Sequence, residues 1–167
     1  GDTPRYQDLA AYTLSVTGLV ERPVTLTLAE VIARPAVEIT TDIHCVTKWS
    51  KFDTVWRGCS IAELLRECGI RPEATHVMFH CEHGYTTNLP LADVLEPRVA
   101  LLAYEFDGQP LEPDHGFPLR SLVPRRTWVS ELTPDIVGVL MLAPERMSAW
   151  NLAQYVEHLR DNQQRSD

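Results

Sequence analysis

Hydrophobic and polar positions alternate at Tyr12, Leu14 and Val16 against Thr13, Ser15 and Thr17, ahead of Gly18. That two-residue period predicts a half-buried strand ending at a turn. Thr27-Leu28-Ala29-Glu30 then has the Thr-x-x-Glu form, in which the first and fourth side chains satisfy each other's backbone N–H groups, so a short helix is expected up to about Arg34-Pro35. From Val37 to Cys45 alternation returns and predicts a second strand. It places Ile39, Ile43 and Cys45 on one face and Glu38, Asp42 and His44 on the other.

Ser60-Ile61-Ala62-Glu63 repeats the capping pattern and predicts a helix carrying Leu64, Leu65 and Cys68, stopped by Gly69. His76 to Cys81 reads as a strand with Val77, Phe79 and Cys81 on one face. Val99 to Phe106 reads as a buried strand, and Asp107-Gly108 is a hairpin-turn signal because both residues accept positive φ. Val137 to Leu142 is another apolar run of strand length. Leu152, Val156 and Leu159 recur at helical spacing, which predicts a C-terminal helix and polar tail over 147–167. The sum is a mixed α+β, strand-rich domain with short helices, expected to be a single domain over 1–167. Twelve prolines among these elements predict long ordered loops, where cofactor sites are commonly built.

Composition narrows the function classes. A chain of 167 residues with 44% hydrophobic content can fill one sizeable core. Its net charge of -8, from 15 Lys and Arg against 23 Asp and Glu, argues against nucleic acid or an anionic membrane as partner. No apolar run reaches the roughly 18 residues that a spanning helix needs. The first residues lack a secretory-signal layout, so a cytoplasmic location is expected; a start at Gly1 leaves room for a processed form and a periplasmic one. Four cysteines, Cys45, Cys59, Cys68 and Cys81, show no disulfide framework and are read as reduced thiols, with Cys59 and Cys68 as small buried hydrophobes.

Cys45 alone has chemically unusual neighbours. It ends an inward-facing strand, with Lys48 and Lys51 downstream, a setting in which a thiolate can persist if a metal compensates its charge. A buried core cysteine is the competing reading of the same pattern.

Asp42-Ile43-His44-Cys45-Val46-Thr47-Lys48-Trp49-Ser50 resembles the molybdenum-ligating segment of bacterial sulfite-oxidase-like oxidoreductases, the oxidoreductase molybdopterin-binding domain family. Further blocks agree in order: Gly18-Leu19-Val20-Glu21-Arg22-Pro23, His83-Gly84-Tyr85-Thr86-Thr87-Asn88-Leu89-Pro90-Leu91, Ala103-Tyr104-Glu105-Phe106-Asp107-Gly108 and His115-Gly116-Phe117-Pro118-Leu119-Arg120. The resemblance implies the sulfite oxidase-type fold, a molybdenum cofactor (molybdopterin with Mo) and Cys45 as metal ligand. It makes Tyr104 a match to the family's active-site tyrosine. His44, Cys45, Thr47, Lys48, Tyr85, Thr86, His115, Gly116 and Arg120 become candidates for holding the pterin. These residue types suit that role, since glycine admits close backbone approach, hydroxyls and histidine donate hydrogen bonds, and arginine grips an anion through two donors.

The resemblance also implies oxygen-atom transfer to or from a small, sulfur-oxo type substrate. With no haem or flavin motif in the chain, electrons are exchanged with a separate partner such as a cytochrome. A monomer is expected. The pattern departs from the family after Pro124, where Arg125-Arg126-Thr127-Trp128-Val129-Ser130-Glu131-Leu132-Thr133-Pro134 replaces a Lys-Ser-x-Lys-Trp block. Two other readings stand beside the enzyme. One is a cofactor-free member of the fold serving as a binding module. The other is a zinc protein using His76, His80, Cys81 and His83, which strand phase disfavours because Cys81 faces away from His76 and His80.

Overall fold

The computed structural model describes residues 8–44, 50–81, 86–96, 100–123 and 136–142. Within them the chain makes two sheets. β1 (Thr13–Gly18) lies between β2 (Val24–Thr27) and β10 (Ile136–Leu142), and β5 (His76–Cys81) and β6 (Thr86–Pro90) extend that sheet beyond β10. Of its pairs, β1 with β10 is parallel and the rest are antiparallel. The second sheet runs β3 (Ala36–His44), β4 (Ser50–Ser60), β7 (Leu101–Phe106) and β8 (Gln109–Pro110), with β9 (Arg120–Leu122) also paired to β7. Three short helices join the described strands: α1 (Leu28–Ile32), α2 (Ile61–Cys68) and α3 (Leu91–Leu95).

The strand-rich mixed class read from the sequence is the observed one. Thr27 starts α1 with both halves of its capping box, Glu30 N donating to Thr27 Oγ1 at 3.2 Å and Thr27 N to Glu30 Oε2 at 2.8 Å. The second box closes one way, Glu63 N to Ser60 Oγ at 3.3 Å. Gly69, at φ 73°, ends α2. Asp107-Gly108 forms the two-residue hairpin between β7 and β8 with φ of 47° and 77°. The expected C-terminal helix lies outside the described residues.

β2, β4, β6, β9 and α3 have no counterpart in the sequence pattern. β4 is eleven residues long but has no clean alternation, because two register shifts interrupt it. At the first, Thr41 pairs with Thr54 and Ile43 with Lys51; at the second, Arg57 pairs with Glu105 but Gly58 with Ala103. Each shift adds a residue on one strand and breaks the period-two signal.

Around β7 the second sheet is buried on both faces. On one, Ala100, Leu102 and Tyr104 of the β7 segment join Leu14, Val16, Val77, Phe79, Leu89 and the apolar side of α2 in the main core. On the other, Trp56, Leu101, Ala103, Leu111 and Leu122 form a second cluster, with Phe106 and Phe117 packed against it. Gly58 lets β4 and β7 approach at the register shift. A Cβ there would stand 2.1 Å from the Leu102 carbonyl oxygen and 2.7 Å from Ala103 Cα, closer than any side chain permits.

Candidate functional site

β9 follows a single 3-10 turn, Pro113–His115, which ends at Gly116. Gly116 is buried and adopts φ 94°, a left-handed conformation open to glycine at no steric cost. The chain then passes through a cis Phe117–Pro118 peptide into β9. Arg120 pairs with Ala103 and therefore shares the Trp56 face of the sheet. Its side chain is withdrawn from solvent, 8% exposed. The guanidinium donates from Nη1 to the His115 carbonyl at 3.3 Å and its Cζ lies 5.7 Å from the centre of the Trp56 ring. Trp56 is itself held: Nε1 donates to Thr54 Oγ1 at 2.8 Å, and Thr54 Oγ1 donates to the Thr41 carbonyl. The turn thus sets a buried guanidinium above an indole, where cation and ring attract each other.

His115 is the last residue of this 3-10 turn and lies at the surface, its Nε2 3.8 Å from Glu112. Thr86 stands in β6 opposite His80 on β5. Tyr104 occupies the other face of the second sheet from Arg120. It is the extra residue at the second register shift, 7% exposed and packed in the main core. Burial raises its pKa, Glu105 and Cys59 push the same way, and the neighbouring Arg57 opposes them. The structure thus brings His115, Gly116 and Arg120 together and separates Tyr104 from them by the thickness of a strand. His44 pairs with Ser50 at the open end of the β3–β4 ladder. Cys45, Thr47 and Lys48 lie in the connection that ladder closes, and Tyr85 in the β5–β6 connection, all outside the described residues.

The other cysteines sort by environment. Cys59, Cys68 and Cys81 are free and buried. Burial pushes the Cys59 thiol up to about 11 against the opposing pull of Arg34, and burial likewise raises Cys68. Burial thus favours the neutral thiol at both positions. His76 and His80 face away from Cys81 across β5, and burial lowers the pKa of His76. No group of three potential ligands gathers among the described residues.

Sequence reasoning missed Trp56 and Gly58, which build the Arg120 platform and lie in the strand whose period is broken. It also passed over Asn88, whose Nδ2, like His80 Nε2, is buried without a hydrogen-bond partner on a neighbouring strand. The signal these two share is a polar phase on β5 and β6, on a different sheet from Arg120.

The family model described as oxidoreductase molybdopterin binding domain matches residues 1–131. The chain belongs to this family. It is 47% identical over 124 residues to the uncharacterized oxidoreductase YuiH of Bacillus subtilis (strain 168), covering 74% of this chain and 62% of that protein. It is 43% identical over 77 residues to mitochondrial sulfite oxidase of Drosophila melanogaster, covering 41% of this chain and 13% of that protein. Its fold is similar to that of the sulfane dehydrogenase SoxCD from Paracoccus pantotrophus, with a TM-score of 0.69 at 20% identity over 84% of this chain and 41% of that chain. The chain therefore spans less than two thirds of each of these relatives. Among the described residues no helix is long and apolar enough to cross a membrane.

Proposed function

We propose that this chain is the cofactor-binding part of a molybdenum oxidoreductase that moves an oxygen atom to or from a small, sulfur-oxo type substrate and exchanges electrons with a separate protein. The observation that carries this reading is the Arg120 site. A buried guanidinium at the end of a glycine turn offers a fixed positive charge and paired donors, and a pterin bearing a phosphate is an anion of the right kind for them. The thiol environments are in keeping with the same assignment, since Cys59, Cys68 and Cys81 are buried and the resemblance makes Cys45 the soft metal ligand.

In this reading Arg120 and the backbone at Gly116 hold the anionic end of the cofactor. His44, Thr47 and Lys48, beside Cys45, and Tyr85 and Thr86 contribute further contacts from the two connections. His115 offers a ring at the surface of the same turn. When bound, the cofactor supplies a metal that changes oxidation state by two electrons while an oxo group moves. Tyr104, on the other face of β7 and linked to Arg57 by a side-chain hydrogen bond, is the candidate in this reading for hydrogen bonding and proton handling during turnover.

Metal analysis of protein made in a molybdenum-competent host tests the proposal. A near-stoichiometric molybdenum content that disappears in Cys45→Ser is the expected result. Zinc in place of molybdenum, or molybdenum retained by the variant, overturns it; protein without metal favours a binding module.

A further inference from the structure

The β3–β4 ladder is distorted beside the connection that holds Cys45. Between the Thr41–Thr54 and Ile43–Lys51 pairs, Asp42 alone faces two residues, Phe52 and Asp53. Asp53 takes φ 53°, a left-handed conformation uncommon for a residue with a side chain. Asp42 holds it there, its Oδ1 accepting from Asp53 N at 2.9 Å. The ladder's extra residue turns a large ring outward: Phe52 is 64% exposed, against 46% for Ile32 and 39% for Leu9, the other exposed large hydrophobics among the described residues. Bulges of this kind re-aim side chains and are enriched beside functional sites.

The ring has an acidic rim. Asp42 and Asp53 flank it, and Asp107 stands at the same corner, where its carboxylate accepts from Val55 N at 3.0 Å. The nearby cation, Lys51, is committed to Asp107 at 3.3 Å and lies 4.1 Å above the Phe106 ring. Among the described residues of this corner three carboxylates stand against one ammonium, in keeping with the net charge of -8 over the whole chain. Asp42 stands three residues before Cys45 and Phe52 seven after it.

We propose that this corner is the docking surface for the separate electron carrier, a basic protein that presents its redox group in an apolar patch ringed by lysines. The inference rests on the oxidoreductase reading above. Phe52 supplies the apolar centre of the contact and the carboxylates supply steering, the division of labour found in transient interfaces. Substrate oxidation with water as oxygen source releases two protons and two electrons, so each turnover in that direction reduces two one-electron carriers in two encounters.

The probe is a basic single-haem cytochrome c, titrated against the loaded protein at low and high salt. Two variants test the surface: Phe52→Ser, and Asp42→Asn with Asp53→Asn. Asparagine keeps the acceptor on residue 42 and tolerates the left-handed backbone at residue 53. The double variant is expected to weaken binding about fivefold or more at low salt and to flatten its salt dependence. Phe52→Ser is expected to weaken it about threefold or more at both salts. Molybdenum content and turnover with ferricyanide stay at the parent level in both. A loaded parent that turns over with ferricyanide but fails to bind the cytochrome, or binds it equally well in both variants, overturns the docking proposal alone. A parent without molybdenum overturns the oxidoreductase reading and this proposal with it.

Discussion

The two faces of the second sheet are built from the same strands and do opposite things. The inner face carries Ala100, Leu102, Tyr104 and Cys59 into the main core, where burial holds the phenol and the thiol neutral. The outer face carries Trp56, Ala103 and Leu122 but also Arg120, a charge kept in place by a carbonyl and an indole. Residues one step apart on β7 thus meet different dielectric problems. Burial on the inner face favours the neutral form of its groups, whereas the outer face keeps a charge beside a carbonyl and an indole. The division depends on register, since a shift by one residue exchanges the faces.

Gly58 is where that register can be broken. Alanine at this position drives a methyl group into the Leu102 carbonyl and Ala103 Cα, both backbone atoms that cannot step aside. Gly58→Ala is expected to destabilise the protein by about 3 kcal/mol or more, read as a fall in the urea midpoint at constant slope. A loss under about 1 kcal/mol would mean that the strand pair does not hold the faces apart as described.

The inner face predicts an alkaline limit. Cys59 has a folded pKa of about 11 against an ordinary value of 9.0, so below pH 9 both states hold the proton and stability is flat with respect to this group. Between 9 and 11 the unfolded chain loses its proton and the folded one does not, so stability falls as pH rises. The full span amounts to about 2 to 3 kcal/mol. Cys59→Ala should remove most of that decline, measured as the difference between denaturation midpoints at the two ends of the window. A decline that persists unchanged in the variant assigns it to other groups.

Much of this division was legible in the alternation of β1, β3, β5 and β7, because each has one face in a core and a clean period of two. The period of β7 puts Ala100, Leu102 and Tyr104 on one side, and all three lie in the main core. β4 was illegible for a physical reason: its two register shifts scramble the phase, and with it went Trp56 and Gly58, the residues that support Arg120. The His115 to Arg120 block was identified by resemblance to a family, not by periodicity, since a turn, a cis peptide and a three-residue strand give no repeating pattern. Tyr104 is picked out in two ways. The resemblance supplies its match to a family tyrosine, and the alternation of β7 supplies its face, with Ala100 and Leu102.

Arg120→Met sharpens the comparison with the smallest stability effect. Methionine roughly preserves the length of the stem and removes the charge. The His115 carbonyl loses a donor, a loss of about 1 kcal/mol, while relief from burying an ion offsets it. The metal-free protein should therefore change by no more than about 1 kcal/mol in either direction. Cofactor content should nonetheless fall several-fold, because the anion loses its charged, two-donor partner. Arg120→Lys restores the charge without the planar fork and should recover only part of the content. If Arg120→Met lowers stability by about 3 kcal/mol or more and leaves cofactor content intact, the guanidinium is a structural ion and both faces of the sheet are core.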